Sequence, residues 1–274
     1  MKFVIEHRSY LLNRPFAISR GSRTHAHCVY LRLTLDHAHG QACSVAYPRY
    51  GETPASVEQM IRDALAIISS DKNPARMRQT INATMPAGAA RNVLDCALWD
   101  LEAKLLGVPV WKLAGMAAAP NAQITAYTIS LDAPDAMECQ AEQHRHYHIL
   151  KLKLAGDDRD LSRMAAVKRA APNARLIVDA NEGYLHDRLA ELDALLAAKV
   201  DLIEQPVPAG SDQLLDQCKP GQTAILCADE SIHTRADLAA CKGRYRAINI
   251  KLDKTGGLTE ALALQRQALA EGFQ

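Results

Sequence analysis

Net charge is the first thing this sequence lacks: 32 Lys and Arg stand against 31 Asp and Glu over 274 residues. That balance draws the chain neither to nucleic acid nor to an anionic membrane, so a small molecule is the expected partner. No stretch of 18 apolar residues occurs, and charge comes too early in MKFVIEHRSYLL for a secretory core. No membrane span or export signal is expected, and the cytoplasm is the expected compartment. The seven cysteines, at 28, 43, 96, 139, 218, 227 and 241, are odd in number and include no C-x-x-C pair. That pattern argues against a disulfide framework and for reduced thiols, mostly in the core, Cys227 among them. KTGG at 254–257 lacks the order of a phosphate loop and reads as a turn into a helix.

What is present divides in two. Residues 2–50 hold short alternating runs, such as Cys28–Leu35 and Gln41–Tyr47, broken by Arg-Gly-Ser and His-Gly turns, which predicts a small antiparallel sheet. Ser56–Ser69 and Ala89–Leu106 carry apolar residues at helical spacing, the second run stopping at Gly107 before Pro109. Residues 1–115 are therefore expected to form an α+β capping domain.

Residues 116–274 repeat a different unit. Strand candidates are Ile124–Ile129, Ile149–Leu154, Leu176–Val178, Val200–Ile203, Ala224–Ala228 and Ala247–Ile250, and Ala-rich helical stretches between them include Asp160–Ala170, His186–Ala198 and Leu258–Ala270. Strand starts lie roughly 25 residues apart, the length of a βα unit, which implies parallel strands joined by right-handed crossovers. The expected fold class is α/β, a TIM-like (β/α) barrel with six strands present, behind the capping domain.

ILKLKL, residues 149–154, gains meaning in that context. The outer face of a barrel strand is covered by helices, so Leu150, Leu152 and Leu154 must face outward and Lys151 and Lys153 inward. Three further strands end in an acid: Asp179 in LIVDAN, Glu204 in DLIEQP and Asp229 in ILCADES, each 25 residues after the last. Taken singly, each could be a helix N-cap. In phase, on neighbouring strands, the three carboxylates converge and suit a divalent cation that keeps open positions, most simply Mg²⁺. Lys251 in INIKLDKTGG points inward from across the mouth. A cation between two opposed amines suits a carbon acid: one lysine removes an α-proton beside a metal-bound carboxylate, giving a metal-stabilised enediolate, and the other returns a proton to the opposite face. Two ammoniums on one strand face lie about 7 Å apart and repel, so Lys151 would lower the pKa of Lys153 and could itself bind the substrate carboxylate. HRHYH at 144–148 invites a zinc reading, but it precedes its strand and falls at the opposite end from the acids.

KLK, VDAN, IEQP, ADES and NIKLDKTGGL, with NVLDCALWDLEAKLLGVPVWKLAG before them, resemble the enolase superfamily in its muconate-lactonizing subgroup across nearly the whole chain. RPFAISRGSRT, YPRYGE, PAGAARN and KGRY look most like its L-Ala-D/L-Glu dipeptide epimerases, isomerases of cell-wall peptide recycling. The resemblance implies Asp179, Glu204 and Asp229 as Mg²⁺ ligands, Lys153 and Lys251 as the acid/base pair, and Asn181 and Glu230 as supports behind the ligands. It also implies a mobile loop near residue 20, where Arg20 or Arg23 would hold the distal carboxylate of a glutamyl residue. N-acylamino acid racemases and o-succinylbenzoate synthases share the lysines and acids and stand as alternatives. Two departures from the family pattern follow. Gly40-Gln41 replaces a Gly-Glu pair, and AEGFQ ends the chain where a seventh strand should begin. About two βα units, with an eighth-strand Asp-x-Asp element that binds the substrate ammonium, are expected beyond that point. On that ground the 274-residue chain is expected to be a poorly active or inactive truncated fragment, with association between copies as a means of covering its open edges.

Overall fold

A computed structural model of the chain describes residues 1–218 and 224–274. It opens with a three-stranded antiparallel sheet of β1 (Lys2–Ile18), β2 (Gly21–Leu35) and β3 (Ala38–Val45), in that order. Alternation in β2 buries Val29, Leu31, Leu33 and Leu35 on one face. The run predicted over Cys28–Leu35 falls inside β2 and that over Gln41–Tyr47 overlaps β3 but outruns it by two residues, and the β1–β2 hairpin is far longer than predicted. Its distal half leaves the core, both faces meet water, and side-chain alternation then carries no signal. The register breaks between Leu11 and Phe16, around Pro15, which has no N–H to give the ladder.

Four helices follow: α1 (Pro54–Ile68), α2 (Pro74–Thr84), α3 (Ala89–Leu106) and α4 (Val110–Leu113). Thr53 and Ser56 form a capping box that starts α1. Helix α3 is buried on most sides because it is packed between the sheet and the second half of the chain. Arg91 donates to Thr255 O (2.7 Å) and Gly256 O (3.2 Å), and Asp95 accepts from Thr259 N (2.8 Å) and Oγ1 (2.6 Å). On its other side α3 lies directly on β3 at Gly40, where an added Cβ would overlap the Ala97 carbonyl and stand 2.6 Å from Leu101 Cβ.

The remaining elements are β4 (Ala126–Ile129), α5 (Pro134–Gln143), β5 (Ile149–Lys153), α6 (Asp160–Ala170), β6 (Arg175–Asp179), α7 (Leu189–Leu196), β7 (Leu202–Glu204), β8 (Ile225–Ala228), α8 (Leu238–Cys241), β9 (Ala247–Ile248), α9 (Leu252–Thr255) and α10 (Leu258–Ala270). The six strands are all parallel and lie in sequence order. A doubly wound sheet would reverse its order at a switch point; an uninterrupted order is that of a barrel wall. Gln274 extends the ladder past β9, donating to Arg246 O (2.9 Å) and accepting from Ile248 N (3.1 Å). Leu150, Leu152, Leu154, Val178 and Ile203 are wholly buried in one apolar cluster, as the outward orientation of the leucines requires.

Three expectations need correction. The helix predicted over His186–Ala198 is a 3-10 turn, His186–Arg188, followed by the shorter α7, because Arg188 leaves helical geometry. Strand β9 is only two residues long, so Lys251 caps α9 rather than ending a strand. The thiols are not mostly core: Cys227 and Cys241 are buried, Cys28, Cys96 and Cys218 are half-buried, and Cys43 and Cys139 are exposed. Cysteine is a small hydrophobe that a half-exposed sheet or helix face also tolerates. Gly40→Ala is expected to destabilise the chain by about 1–3 kcal/mol through overpacking, read as a lowered Tm; an unchanged Tm would mean that α3 and β3 do not approach as described.

Candidate functional site

Strand register builds the site. Lys153 on β5 pairs with Asp179 on β6, and Asp179 with Glu204 on β7, so residues at one height are carried across three strands. Asp229 lies one residue past β8, whose Cys227 pairs with Glu204. The result is a row of three carboxylates with oxygens all within 4.8 Å of one another. Asp179, Glu204 and Asp229 are 0%, 4% and 1% exposed. Such a row cannot remain ionised without cations.

Four ammoniums supply the positive charge. Lys153 donates to Asp179 Oδ2 (2.6 Å) and Asn181 Oδ1 (3.0 Å). Lys151 shares that Asp179 oxygen at 2.9 Å and reaches Glu204 Oε2 at 2.6 Å. Lys251 meets Asp229 Oδ2 and Lys254 meets Asp229 Oδ1, each at 2.5 Å. Lys254 also donates to the carbonyl of Asp229. Lys153 and Lys251 therefore sit at opposite ends of the row of acids. The arrangement divides the lysines chemically. Burial lowers the pKa of Lys153 against the pull of Asp179, and the charge of Lys151 lowers it further. Lys151 itself is raised: burial opposes its charge, but Asp179 and Glu204 outweigh burial. Lys251 is raised because Asp229 overcomes its burial. Among the acids, burial and the neighbouring Asp179 push Glu204 up to about 6, whereas the lysines overcome burial and lower Asp179 and Asp229. Repulsion from Lys151 thus contributes to the lowering of Lys153, but burial leads.

The surrounding polar groups fix the row. Asn181 N donates to Asp179 Oδ1 (3.0 Å), Asn249 Nδ2 to Glu204 Oε1 (2.9 Å) and Asp229 N to Gln205 Oε1 (2.8 Å). Glu230 accepts from Arg20 at 2.8 Å, and its other oxygen is buried without a hydrogen-bond partner among the described residues. Lys254, Asn249 and Gln205 were not singled out in the sequence. The available signal was Lys254 itself, a lysine one turn after Lys251 in a segment that is otherwise a simple turn.

A cavity of about 450 Å³ opens above Lys153, Asp229 and Lys251, within the size range of small-molecule sites. The N-terminal half walls it with Phe16, Arg23 and Tyr50. Arg20 also lines it, but its guanidinium is engaged by Asn181 O, Glu182 and Glu230. Arg23 lies over the Phe16 ring at 5.5 Å, and among the described residues no carboxylate pairs with it. The histidines of HRHYH form no cluster of metal ligands among the described residues: His144 stacks on Tyr127 at 3.8 Å and its Nδ1 meets Gln140 O at 2.7 Å. The donors at the acidic row are all hard oxygens in the number and proximity that fit a divalent cation such as Mg²⁺. Lys254→Met, which strips a buried counter-charge from Asp229, is expected to cost about 3 kcal/mol in urea denaturation of the metal-free protein; a loss below about 1 kcal/mol would show that the pair does not hold the site together.

A family model described as the N-terminal domain of mandelate racemase/muconate lactonizing enzyme matches residues 2–115, and one described as enolase C-terminal domain-like matches residues 135–274. L-Ala-D/L-Glu epimerase of Escherichia coli (strain K12) is 43% identical over 264 residues, covering 96% of this chain and 80% of that protein. An enolase family member from Agrobacterium tumefaciens with homology to dipeptide epimerases, solved with sodium, L-Ala-L-Glu and an ordered loop, superposes with a TM-score of 0.91 at 42% identity, over 99% of this chain and 81% of that one. A dipeptide epimerase from Enterococcus faecalis V583 complexed with Mg and L-Leu-L-Tyr gives a TM-score of 0.89 at 25% identity, over 99% and 80% of the two chains.

Proposed function

The chain belongs to the mandelate racemase/muconate lactonizing enzyme family, and from that premise we propose that it is a magnesium-dependent dipeptide epimerase that inverts the glutamyl α-carbon of L-Ala-D/L-Glu. The observation that carries this reading is the cluster of three carboxylates, oxygens within 4.8 Å of one another, met by Lys153 at Asp179 and by Lys251 at Asp229. Residues 1–115 are proposed as the capping domain that shapes the cavity and 116–274 as the barrel that performs the chemistry. No described helix is long and apolar enough to cross a membrane, and a cytoplasmic role in recycling cell-wall peptides is part of the proposal.

Asp179, Glu204 and Asp229 would hold Mg²⁺, whose charge, when bound, draws electron density from the substrate carboxylate and makes the α C–H acidic. Lys153, the amine that burial favours as neutral, takes the α-proton from one face. Asn181 Oδ1 accepts from its Nζ and fixes the direction of approach. Lys251, which Asp229 keeps charged, returns a proton to the other face, and the two exchange roles for the opposite enantiomer. Lys151 stays cationic and offers its charge to the substrate carboxylate. Glu230 acts through Arg20. Arg23, with donors free over the cavity, receives the glutamyl side-chain carboxylate, which assigns to one of the two expected arginines the part the other cannot play while paired.

Incubation of the full-length form with L-Ala-L-Glu and Mg²⁺ in D₂O is expected to give deuterium at the glutamyl α-carbon and L-Ala-D-Glu, with loss of both on chelation. Exchange confined to N-acylated glutamate would select the racemase alternative, and no exchange into either would sink the reading. Lys153→Ala and Lys251→Ala are each expected to lower kcat by about 10²–10⁴-fold. Arg23→Met is expected to raise KM for L-Ala-L-Glu by about 10–100-fold while leaving KM for L-Ala-L-Leu nearly unchanged; equal effects on both dipeptides would remove Arg23 from glutamyl recognition.

A further inference from the structure

The tip of the β1–β2 hairpin reaches the barrel rim with little apolar hold on it. Residues 20–25 are exposed and Phe16 to Ser19 only half-buried. What holds the tip is polar. Ser19 Oγ donates to Asn181 O (3.0 Å); Arg20 Nη1 donates to Asn181 O (2.6 Å) and Glu182 Oε2 (2.9 Å), and its Nη2 to Glu230 Oε1 (2.8 Å). A second segment, the 3-10 turn Pro48–Tyr50, comes to the same carboxylate: Arg49 Nε donates to Glu182 Oε2 (3.0 Å) and Nη2 to Oε1 (2.7 Å). From the barrel side, Ala209 N donates to Glu182 Oε1 at 2.9 Å. One carboxylate, 6% exposed, thus ties two loops that are separate in sequence to the rim. Each loop carries part of the cavity wall, Phe16 and Arg23 on one and Tyr50 on the other.

Local backbone geometry directs the carboxylate there. Asn181 and Glu182 have φ of 45° and 67°, two successive left-handed residues immediately past β6. Glutamate is not a residue that adopts this conformation readily, and it persists only where its surroundings hold it. The four side-chain and backbone donors around it do so. Among the described residues the side chain of Glu182 pairs with Arg20, Arg49 and Ala209 N and with no lysine of the acidic row, so the proton transfer itself gives no account of it.

We propose that Glu182 is a positioning residue, a latch that fastens the hairpin tip and the Pro48–Tyr50 turn together over the cavity and thereby sets affinity for the distal end of the substrate. Its catalytic consequence rests on the epimerase reading; the latch itself does not. Opening the cavity requires both guanidiniums to leave one buried anion, which is costly because each hydrogen bond is charge-assisted. A glutamine there would lose the charge and keep only one oxygen to accept.

The test is Glu182→Gln in the whole chain, read in two ways. Trypsin cleavage after Arg20, located by mass spectrometry, is expected to accelerate about tenfold, because the arginine loses one of its two carboxylate partners and Arg49 loses its own, which loosens both loops. KM for L-Ala-L-Glu is expected to rise by about tenfold with kcat changed much less. Arg49→Met, at a side chain that is 44% exposed, is expected to move both readouts in the same direction by a smaller factor, and it decides the matter should Glu182→Gln lose its cooperative melting transition. Cleavage at the wild-type rate in a variant that melts normally would overturn the latch. Absence of epimerase activity in the wild type would instead overturn the dipeptide reading, and the cleavage result would still stand for or against the latch.

Discussion

The need to neutralise three buried carboxylates at one end of a parallel sheet governs most of what surrounds them. Asp179, Glu204 and Asp229 are nearly inaccessible to water and share a space 4.8 Å across. Desolvation would protonate them were nothing done. Four lysines are brought to the row, and the backbone around it is bent out of regular geometry to complete the shell. Glu204, with the least direct compensation, is the acid that burial and the neighbouring Asp179 push up, to about 6. A site that holds so much opposed charge in so little volume has the oxygen donors to hold a metal ion in place of the ammoniums.

Strain collects in the same place. Asn181, Glu182 and Gln205 all have positive φ and all lie within two or three residues of a strand's acidic end. Such residues cost on the order of 1–3 kcal/mol each and persist where the local network over-determines them. Gln205 accepts from Asp229 N and Ser231 N while donating to Val207 O. The strain therefore serves alignment of side chains from neighbouring strands, which regular strand ends would not provide.

What could be read from the sequence follows from periodicity. Lys151, Lys153 and the alternating leucines had only one burial-compatible orientation once the βα repeat was recognised, and the 25-residue spacing of the acids placed them on adjacent strands. Helices α3, α6 and α10 were legible to the residue because their apolar faces and stops are unambiguous. The long β1–β2 arm was not, since a ribbon wetted on both faces leaves no hydrophobic pattern. Lys254 and Glu182 were hidden for another reason. Each acts through a contact between segments far apart in the chain, Lys254 with Asp229 and Glu182 with Arg20 and Arg49, and no local pattern encodes such a pairing. The partners of Arg20, Asn181 O, Glu182 and Glu230, are likewise far from it in the chain.

The claim at the centre is that the three carboxylates share one cation between two opposed lysines. A crystal soaked in Mn²⁺ as a stand-in for Mg²⁺ and measured at the manganese absorption edge tests it most directly. The account predicts a single strong anomalous peak within bonding distance of Asp179, Glu204 and Asp229, with Lys153 and Lys251 on opposite sides of it. A peak elsewhere, or none at the acidic row while the ammoniums keep their places on the carboxylates, would contradict it.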